Sequence, residues 1–331
     1  MIPSSKFLGR SSAAFELARA VVKAAPTDAN VLIVGESGTG KEVVARTVHS
    51  RSQRAQAPFV AINCGAISPS LAESELFGHE KGSFTGAVAR SKGCFEQAHT
   101  GTLFLDEVTE MPMSIQVQLL RVLETGTFHR VGGSELVKVD VRVIAATNRD
   151  LNDTVKGGTL RSDLLYRLAV FPIKVPPLRE RKSDIAYLAN KFLDELNAQE
   201  GTKKTLSSSS LANLQQYNWP GNIRELKNTI TRAYILADDT EIDIPPMRPF
   251  FRDAAPIRQS DMLRIPVGTS LAAAERSIIL ATLDHYGGDR KRSAQALGIS
   301  PKTLYNRIEQ LKRKPADLSF QDGETGLHRS A

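Results

Sequence analysis

Residues 31 to 41 read Val31-Leu-Ile-Val-Gly-Glu-Ser-Gly-Thr-Gly-Lys41, an apolar run of strand character followed at once by a glycine-rich turn. The turn matches the phosphate-loop pattern G-x-x-x-x-G-K, and a helical pattern follows it. In that setting backbone N–H groups curl around phosphate oxygens, and the positive end of the helix points at them. The stretch therefore predicts a nucleotide-binding α/β domain. The residues expected to hold the nucleotide are Gly35, Glu36, Ser37, Gly38, Thr39, Gly40, Lys41 and Glu42.

Glu42 departs from the general pattern, which has Ser or Thr at this position to hold Mg²⁺. Most ligands of the ion must then come from another segment of the chain. Residues 101–107, GTLFLDE, have the pattern of an apolar strand that ends in two carboxylates, which can supply them. Asp106 is expected to hold Mg²⁺, directly or through water, and Glu107 to polarise the attacking water. The structural alternatives are a plain glycine-rich turn at the first motif and an acidic helix cap at the second.

The composition excludes several classes of protein. A length of 331 residues suggests two domains at roughly 150 residues each. With 41% hydrophobic and 24% charged residues, the chain is neither disordered, nor collagen-like, nor a disulfide scaffold. Cys64 and Cys94 are interpreted as core thiols in a reducing cytosol. Because we find neither a secretory signal nor an apolar run of about 18 residues, we expect a cytoplasmic protein with no membrane span.

The order of apolar and helical patterns predicts the domain organisation. Short buried strands are expected at 31–34, 58–62, 101–105 and 139–145, with helical patterns between them. This alternation indicates a parallel sheet flanked by helices, which is an α/β fold. The helical spacing after residue 181 indicates an α-helical subdomain, and a proline-rich linker then leads to a small all-α module. The expected segments are 1–175 (α/β), 176–243 (helical), 244–268 (linker), 269–314 (all-α module) and 315–331 (polar tail).

The C-terminal module has the pattern of a DNA-binding unit. Residues 270–314 hold nine basic and four acidic side chains, a net charge of +5 out of +7 for the chain. Two helices joined by a glycine turn are expected, with Ser300 as N-cap and Pro301 in the first turn. Leu304, Ile308 and Leu311 should pack inward. The residues then left for a major groove are Lys302, Thr303, Tyr305, Asn306 and Arg307, and the expected phosphate contacts are Arg290, Lys291 and Arg292. A helical protein-binding domain is the alternative.

A third motif lies between the phosphate loop and the acidic strand. The stretch Glu75-Leu-Phe-Gly-His-Glu-Lys-Gly-Ser-Phe-Thr-Gly-Ala87 resembles the GAFTGA loop of bacterial sigma-54-dependent activators, which are AAA+ ATPases. The resemblance covers residues 7–243 and resumes in the C-terminal module, which resembles a Fis-type helix-turn-helix. This sequence has Ser83 where the family usually has Ala. The resemblance implies that sigma-54 is contacted by Gly82, Ser83, Phe84, Thr85, Gly86 and Ala87. The alternative is a buried Phe on a tight turn.

Individual positions also match this family. Asn63 resembles the switch residue that contacts the catalytic glutamate in the ground state, and Asn148 resembles sensor I. Arg161 and Arg167 lie in a segment that resembles the one carrying arginine fingers, which would reach into a neighbouring subunit. Arg224 resembles sensor II, reaching from the helical lid to the nucleotide.

The resemblance implies a transcription activator that uses ATP and Mg²⁺. Such a protein binds upstream enhancer DNA, assembles into a ring, expected to be a hexamer, and acts on sigma-54 RNA polymerase. The alternatives are another AAA+ remodelling ATPase (an unfoldase or a nucleic-acid motor) and a DNA-binding repressor with a vestigial ATPase. The matching region starts within ten residues of Met1, without the two-component-type receiver or ligand-sensing domain that many relatives carry. We therefore expect control in trans by a regulatory protein, or control through the expression level.

Overall fold

A computed structural model describes residues 9–247, 263, 265–266 and 268–313. Residues 311–313 are described by their backbone alone. The chain divides into two compact units, Met1–Met247 and Arg248–Ala331. Most of the predicted linker and all of the predicted polar tail, residues 315–331, lie outside the described residues. The segment boundaries expected from sequence therefore stay predictions.

The strands of the first unit come in chain order as follows. They are β1 (Val31–Val34), β2 (Phe59–Asn63), β3 (Thr102–Asp106), β4 (Thr127–His129), β5 (Leu136–Lys138), β6 (Arg142–Thr147), β7 (Phe171–Lys174), β8 (Thr205–Leu206) and β9 (Glu241–Ile242).

The helices follow the same order through both units. They are α1 (Ser12–Ala24), α2 (Lys41–Ser50), α3 (Pro69–Phe77), α4 (Cys94–Gln97), α5 (Met113–Thr125), α6 (Leu151–Lys156), α7 (Ser162–Leu168), α8 (Ser183–Glu200), α9 (Ser208–Gln216), α10 (Asn222–Leu236), α11 (Leu271–His285), α12 (Arg290–Ala296) and α13 (Pro301–Arg313). Two 3₁₀ turns, Val108–Glu110 and Leu178–Arg181, lie after β3 and β7.

A five-stranded parallel sheet in the order β2-β3-β6-β1-β7 forms the centre of the first unit. Apolar clusters cover both of its faces, which explains why its inner strands read as continuous apolar runs. In the register, Val34 of β1 pairs with Thr147 of β6, and Asn63 of β2 pairs with Asp106 of β3. Because all these strands are parallel, the residues that follow them meet at one edge of the sheet.

The structure differs from the predicted elements in four places. The strand β7 is not predicted from the sequence, because its Pro172 argues against a central strand; β7 lies at the sheet edge, where a proline is tolerated. The antiparallel pair β4–β5 is not predicted either. The last predicted strand, 139–145, begins at Arg142 because Val139 instead donates its N–H to Gly126 outside the sheet. The helical region also contains β8, which pairs in parallel with β9.

The start of α1 is attached to the helical subdomain by one carboxylate. Asp184 of α8 is fully buried and accepts hydrogen bonds from the backbone N–H groups of Arg10 and Ser11 and from the Ser11 hydroxyl. A side chain on Gly9 would overlap this carboxylate, since its Cβ would lie 2.1 Å from an Asp184 oxygen. The segment before α1 is thereby fixed to α8.

The second unit is a three-helix module. Ile279, Ala294 and Leu304 form its small core, and Ile308 packs against them as predicted, whereas the side chain of Leu311 lies outside the described residues. The Ser300 hydroxyl accepts a hydrogen bond from the N–H of Thr303, which confirms the predicted N-cap of α13.

None of the helices in the described ranges combines the length and the apolar character needed to cross a membrane.

Candidate functional site

Four of the predicted catalytic residues lie at the carboxyl edge of the sheet, at or just after the ends of β2, β3 and β6: Asn63, Asp106, Glu107 and Asn148. Lys41 is 7% exposed, and its Nζ donates to the Gly35 carbonyl at 3.0 Å and to Glu107 Oε1 at 3.2 Å. The other oxygen of Glu107 accepts the backbone N–H of Asn148 at 3.0 Å. Glu107 has a φ of 52°, a left-handed conformation at the turn after β3. The structure thus brings Lys41, Glu107 and the start of the sensor I segment together.

Asp106 lies beside this cluster at the end of β3. Burial raises the pKa of Asp106, and the charge of Glu107 raises it further, while Lys41 acts in the opposite direction. Asn63 donates from Nδ2 to Asp106 Oδ2 at 3.5 Å, and its Oδ1 accepts the N–H groups of Gly65 and Ala66. The contact of Asn63 is therefore with Asp106 rather than with Glu107, because the strand register sets Asn63 directly beside Asp106.

The phosphate loop contacts the helical subdomain. Glu36 accepts two hydrogen bonds from the Arg179 guanidinium at 2.6 and 2.8 Å, which hold the pKa of Glu36 below its usual range. Arg224 Nη1 donates to the Ser37 hydroxyl at 3.2 Å. The Gly38 carbonyl accepts the backbone N–H groups of Ile223 and Arg224. The sequence predicts that Arg224 reaches the nucleotide, and here it contacts the phosphate loop itself; no sequence pattern points to Arg179.

The remaining loop residues shape the turn. Gly38 and Gly40 have φ values of 77° and 94°, in the left-handed region that favours glycine. The Thr39 hydroxyl donates to the Glu36 carbonyl at 2.8 Å, within the loop itself. Glu42 forms an exposed ion pair with Arg46 at 2.7 Å on the surface of α2. The turn of the loop is thus closed by the hydrogen bond from Thr39 to Glu36. The side chain of Glu42 lies outside the loop, in its ion pair with Arg46.

Arg161 and Arg167 lie apart from the chain's own phosphate loop. Arg161 pairs with Asp163 at 2.7 Å, and Arg167 Nη2 donates to the Leu123 carbonyl at 2.8 Å. Within the described residues, no hydrogen bond or ion pair joins either guanidinium to the carboxylates of Asp106 or Glu107. The structure therefore does not bring these two residues into the cluster formed by the other predicted catalytic groups.

The GSFTGA loop, residues 82–87, is a compact turn with an exposed tip. The Gly82 N–H donates to the Ala87 carbonyl, and the Ala87 N–H to the Phe84 carbonyl. Phe84 is 38% exposed, with its ring edge-on to His79 at 5.0 Å, and Thr85 is exposed.

Gly82 and Gly86 have φ values of 82° and 112°, and a Cβ on either would meet no described atom within 4 Å. The Ser83 hydroxyl is buried and finds no hydrogen-bond partner among the described residues. The tip of the loop therefore has open space around it and one unsatisfied polar atom beneath it.

The stem of this loop, residues 79–81, is held by Arg130, an arginine that no sequence motif singles out. Arg130, 4% exposed, forms ion pairs with Glu80 at 3.1 Å, Glu96 at 2.7 Å and Glu135 at 3.0 Å. These carboxylates raise the pKa of Arg130, so its charge is permanent. The Glu80 N–H also donates to the Val131 carbonyl at 3.0 Å. The stem is therefore joined to the β4–β5 pair while the tip is exposed.

In the second unit the predicted DNA-contacting side chains lie on the surface. The exposed residues are Arg290, Lys291, Arg292, Lys302, Thr303, Tyr305, Asn306 and Arg307. Asp289 caps α12 by accepting the N–H groups of Lys291 and Arg292. Arg307 pairs with Glu275 of α11 at 3.0 Å, a partner that the sequence analysis did not identify. The guanidinium of Arg290 lies 5.8 Å from the ring centre of Tyr305.

Both cysteines are buried, as predicted. Burial raises the pKa of Cys64 to about 12 and that of Cys94 to about 11. Both are therefore thiols at neutral pH, and neither has the depressed pKa of a nucleophilic cysteine.

Three parts of the chain match known protein families. Residues 7–174 match the sigma-54 interaction domain, residues 179–262 match the AAA+ ATPase lid domain, and residues 270–311 match the Fis family of bacterial regulatory proteins.

Individual relatives agree with these matches. The transcriptional regulatory protein FlbD of Caulobacter vibrioides is 45% identical over 316 residues, covering 91% of this chain and 69% of FlbD. The nitrogen fixation protein AnfA of Azotobacter vinelandii is 46% identical over 310 residues, covering 92% of this chain and 57% of AnfA. The crystal structure of NtrX from Brucella abortus in complex with ATP aligns with a TM-score of 0.68 at 36% identity, covering 94% of this chain and 70% of NtrX. The chain thus spans between 57% and 70% of the length of these three relatives.

Proposed function

This chain belongs to the sigma-54-dependent transcriptional regulators of the AAA+ class, and we propose that it hydrolyses ATP to remodel the sigma-54 RNA polymerase closed complex. Regulation of transcription, interaction with sigma-54 and DNA binding by the helix-turn-helix follow from membership. The observation that carries the proposal is the GSFTGA loop. Its tip is exposed, and Glu80 just before it is held by Arg130 within the same unit that contains the Lys41–Glu107 ion pair.

We propose that the cofactors are ATP and Mg²⁺. The phosphate loop has the backbone shape and the lysine that phosphates require. No group of three His, Cys, Asp or Glu that could hold a metal occurs in the described ranges. Mg²⁺ suits this site because it is commonly held by one or two carboxylates together with substrate phosphates, and Asp106 is the carboxylate that fits. The bound ion would neutralise negative charge on the phosphates.

In this proposal Glu107 is the general base. Its Oε1 and Oε2 are held by Lys41 and by the N–H of Asn148, which fix the carboxylate at the edge of the sheet. A carboxylate held in this way can accept a proton from the attacking water. We assign the orientation of that water to Asn148, which directly follows β6 and whose backbone N–H holds Glu107. Asn63 donates to Asp106 in this structure, so the switch role proposed for it requires its amide to reach Glu107 in another state.

We further propose that the active form is a homo-oligomeric ring, a hexamer, completed by Arg161 and Arg167. These side chains lie away from the chain's own Lys41–Glu107 cluster, which supports a role in a neighbouring site. An arginine supplied in trans stabilises charge on the transferred phosphoryl group. Mixing Arg167→Ala subunits with Lys41→Ala subunits should then restore part of the ATPase activity, because some interfaces regain an intact pair. A mixture without rescue contradicts this arrangement.

The proposed DNA target is an upstream enhancer. The side chains at the N-terminus of α12, Arg290, Lys291 and Arg292, are exposed and suited to phosphate contacts, and α13 presents Thr303 and Asn306 for bases. Binding should weaken with salt, with a logarithmic slope of roughly −0.9 per phosphate neutralised. A complex that is insensitive to salt contradicts this assignment.

The test of the proposed function is Thr85→Ala. Thr85 lies at the exposed tip, away from the phosphate chemistry, so ATP hydrolysis should stay within about twofold of wild type. Open-complex formation at a sigma-54 promoter, and association with sigma-54 in the presence of ADP and aluminium fluoride, should be lost. Val88→Ala, at an exposed position three residues further along the chain, is the control and should retain both. Normal activation by Thr85→Ala contradicts the proposal and favours the unfoldase alternative, in which Phe84 grips the substrate.

A further inference from the structure

Asn222 begins α10 and joins three separate segments of the first unit. Its side chain is fully buried. Its Oδ1 accepts the backbone N–H of Leu178 at 2.8 Å, and its Nδ2 donates to the Ser37 carbonyl at 3.0 Å and to Glu36 Oε2 at 3.1 Å. The phosphate loop, the 3₁₀ turn after β7 and the start of α10 therefore all meet at one amide group.

The chemistry at this position is specific for asparagine. Asn222 has a φ of 52°, a left-handed conformation that Asn adopts more readily than most residues. An amide supplies the acceptor for Leu178 and the donor for Glu36 and Ser37 at the same time. Aspartate would keep the shape but would place a carboxylate against the carboxylate of Glu36. Glycine would keep the backbone conformation and remove the amide.

The backbone around Asn222 reinforces the same connection. The Gly38 carbonyl accepts the N–H groups of Ile223 and Arg224, two of the free donors in the first turn of α10. A Cβ on Gly38 would lie 2.4 Å from the Gly221 carbonyl oxygen, so the two turns are in direct contact. Because Arg224 is also on this turn, any shift of α10 relative to the phosphate loop moves Arg224 with it.

We propose that Asn222 is a positioning residue that holds the phosphate loop in its nucleotide-binding shape and couples it to the lid helix carrying Arg224. The proposal rests on the ATPase function proposed above. It assigns a role in nucleotide affinity to a side chain that need not touch the nucleotide. Loss of the amide should weaken ATP binding, and the effect on turnover at saturating ATP should be smaller.

The experiment compares three variants of the full chain by titration with a fluorescent ATP analogue, by steady-state kinetics and by thermal unfolding. Asn222→Gly should raise the Kd for ATP about tenfold with kcat within about threefold of wild type. Asn222→Asp should raise it about a hundredfold, because two carboxylates then face each other. In Glu36→Gln/Asn222→Asp the donor and acceptor are exchanged, so ATP affinity should recover at least tenfold relative to Asn222→Asp alone.

The control is Asn228→Asp, the same chemical change at an exposed position of α10, which should leave the Kd unchanged. A wild-type Kd for both Asn222→Gly and Asn222→Asp overturns the proposal. So does an exchange variant that recovers thermal stability but not ATP affinity, since Asn222 would then be structural only. If Asn222→Asp does not fold, the Kd of Asn222→Gly decides. A wild-type protein that binds ATP without hydrolysing it contradicts the proposed function alone.

Discussion

The phosphate loop and the GSFTGA loop both depend on glycine, but for opposite physical reasons. Gly38 has a φ of 77°, and a Cβ there would collide with the Gly221 carbonyl at 2.4 Å. Gly86 has a φ of 112°, and no described atom lies within 4 Å of where its Cβ would be. In the first loop glycine permits close contact, and in the second it permits a turn in open space. A loop that binds phosphates needs one shape, whereas a loop proposed to act on a partner needs room to move.

The two loops also differ in whether their polar groups have hydrogen-bond partners. In the phosphate loop, Glu36, Ser37, Gly38 and Thr39 all have partners, most of them on the lid. In the GSFTGA loop the buried hydroxyl of Ser83 has no partner among the described residues. An unsatisfied buried hydroxyl costs about 1–3 kcal/mol of folding free energy, so it makes the packing of this loop against the first unit less stable. The contrast predicts that substitutions in the two loops affect different measurements.

The largest effect is expected for Glu107→Gln, at the turn after β3 that contacts Lys41 of the phosphate loop. It keeps the shape of the side chain but removes the proton acceptor, so ATP turnover should fall by about 1,000-fold. ATP binding and the association of the GSFTGA loop with sigma-54 should persist. Steady-state hydrolysis and nucleotide titration measure the two effects, with Glu110→Gln as a control on the same turn. Near-normal turnover in Glu107→Gln contradicts its assigned role.

The next largest effect is expected for Gly38→Ala. Its methyl group would press on the Gly221 carbonyl, so the affinity for ATP should fall roughly 100-fold, or about 2.7 kcal/mol. Gly158→Ala is the matched control, because Gly158 is also left-handed, with a φ of 68°, but has no described atom near its Cβ position. Equal ATP affinity in the two variants contradicts the expectation that the close contact with Gly221 is the reason why Gly38 must be a glycine.

A moderate effect confined to the other loop is expected for Gly86→Ala. A non-glycine residue at this φ is strained, so association with sigma-54 in the presence of ADP and aluminium fluoride should weaken about tenfold, or about 1.4 kcal/mol. The affinity for ATP should be unchanged. Co-sedimentation with sigma-54 and nucleotide titration test both statements. A loss of ATP affinity in Gly86→Ala indicates that the two loops are not separable in this way.

The smallest effect, but one of unusual sign, is expected for Ser83→Ala. Removing a buried hydroxyl without a partner should stabilise the first unit by about 1 kcal/mol, which corresponds to a rise in Tm of about 2–4 °C. Ser74→Ala is the control, because the Ser74 hydroxyl bonds to His79 at 2.7 Å and its loss should lower Tm. Calorimetry decides between them, and a lower Tm in Ser83→Ala shows that its hydroxyl is satisfied in solution.

The sequence was sufficient for features that are local in the chain. The family, the α/β fold with a helical lid and the helix-turn-helix are confirmed, because each rests on a contiguous motif with its own strand, turn or helix pattern. The roles assigned to individual site residues stay predictions. Contacts between distant segments were missed, such as Asn222 with Glu36 and Arg130 with Glu80. An isolated Asn or Arg carries no periodicity or spacing that would distinguish it from a surface residue.

The carboxylate of Asp184 has a mechanical consequence. Because it holds both the N–H groups and the hydroxyl at the start of α1, tension applied at Gly9 reaches α8 before it passes through α1 to the central sheet. The same helical subdomain contacts the phosphate loop through Arg179, on the 3₁₀ turn just before α8. In a single-molecule pulling experiment, a handle attached at this end would therefore report rupture of the lid before the sheet, at a force that depends on whether nucleotide is bound.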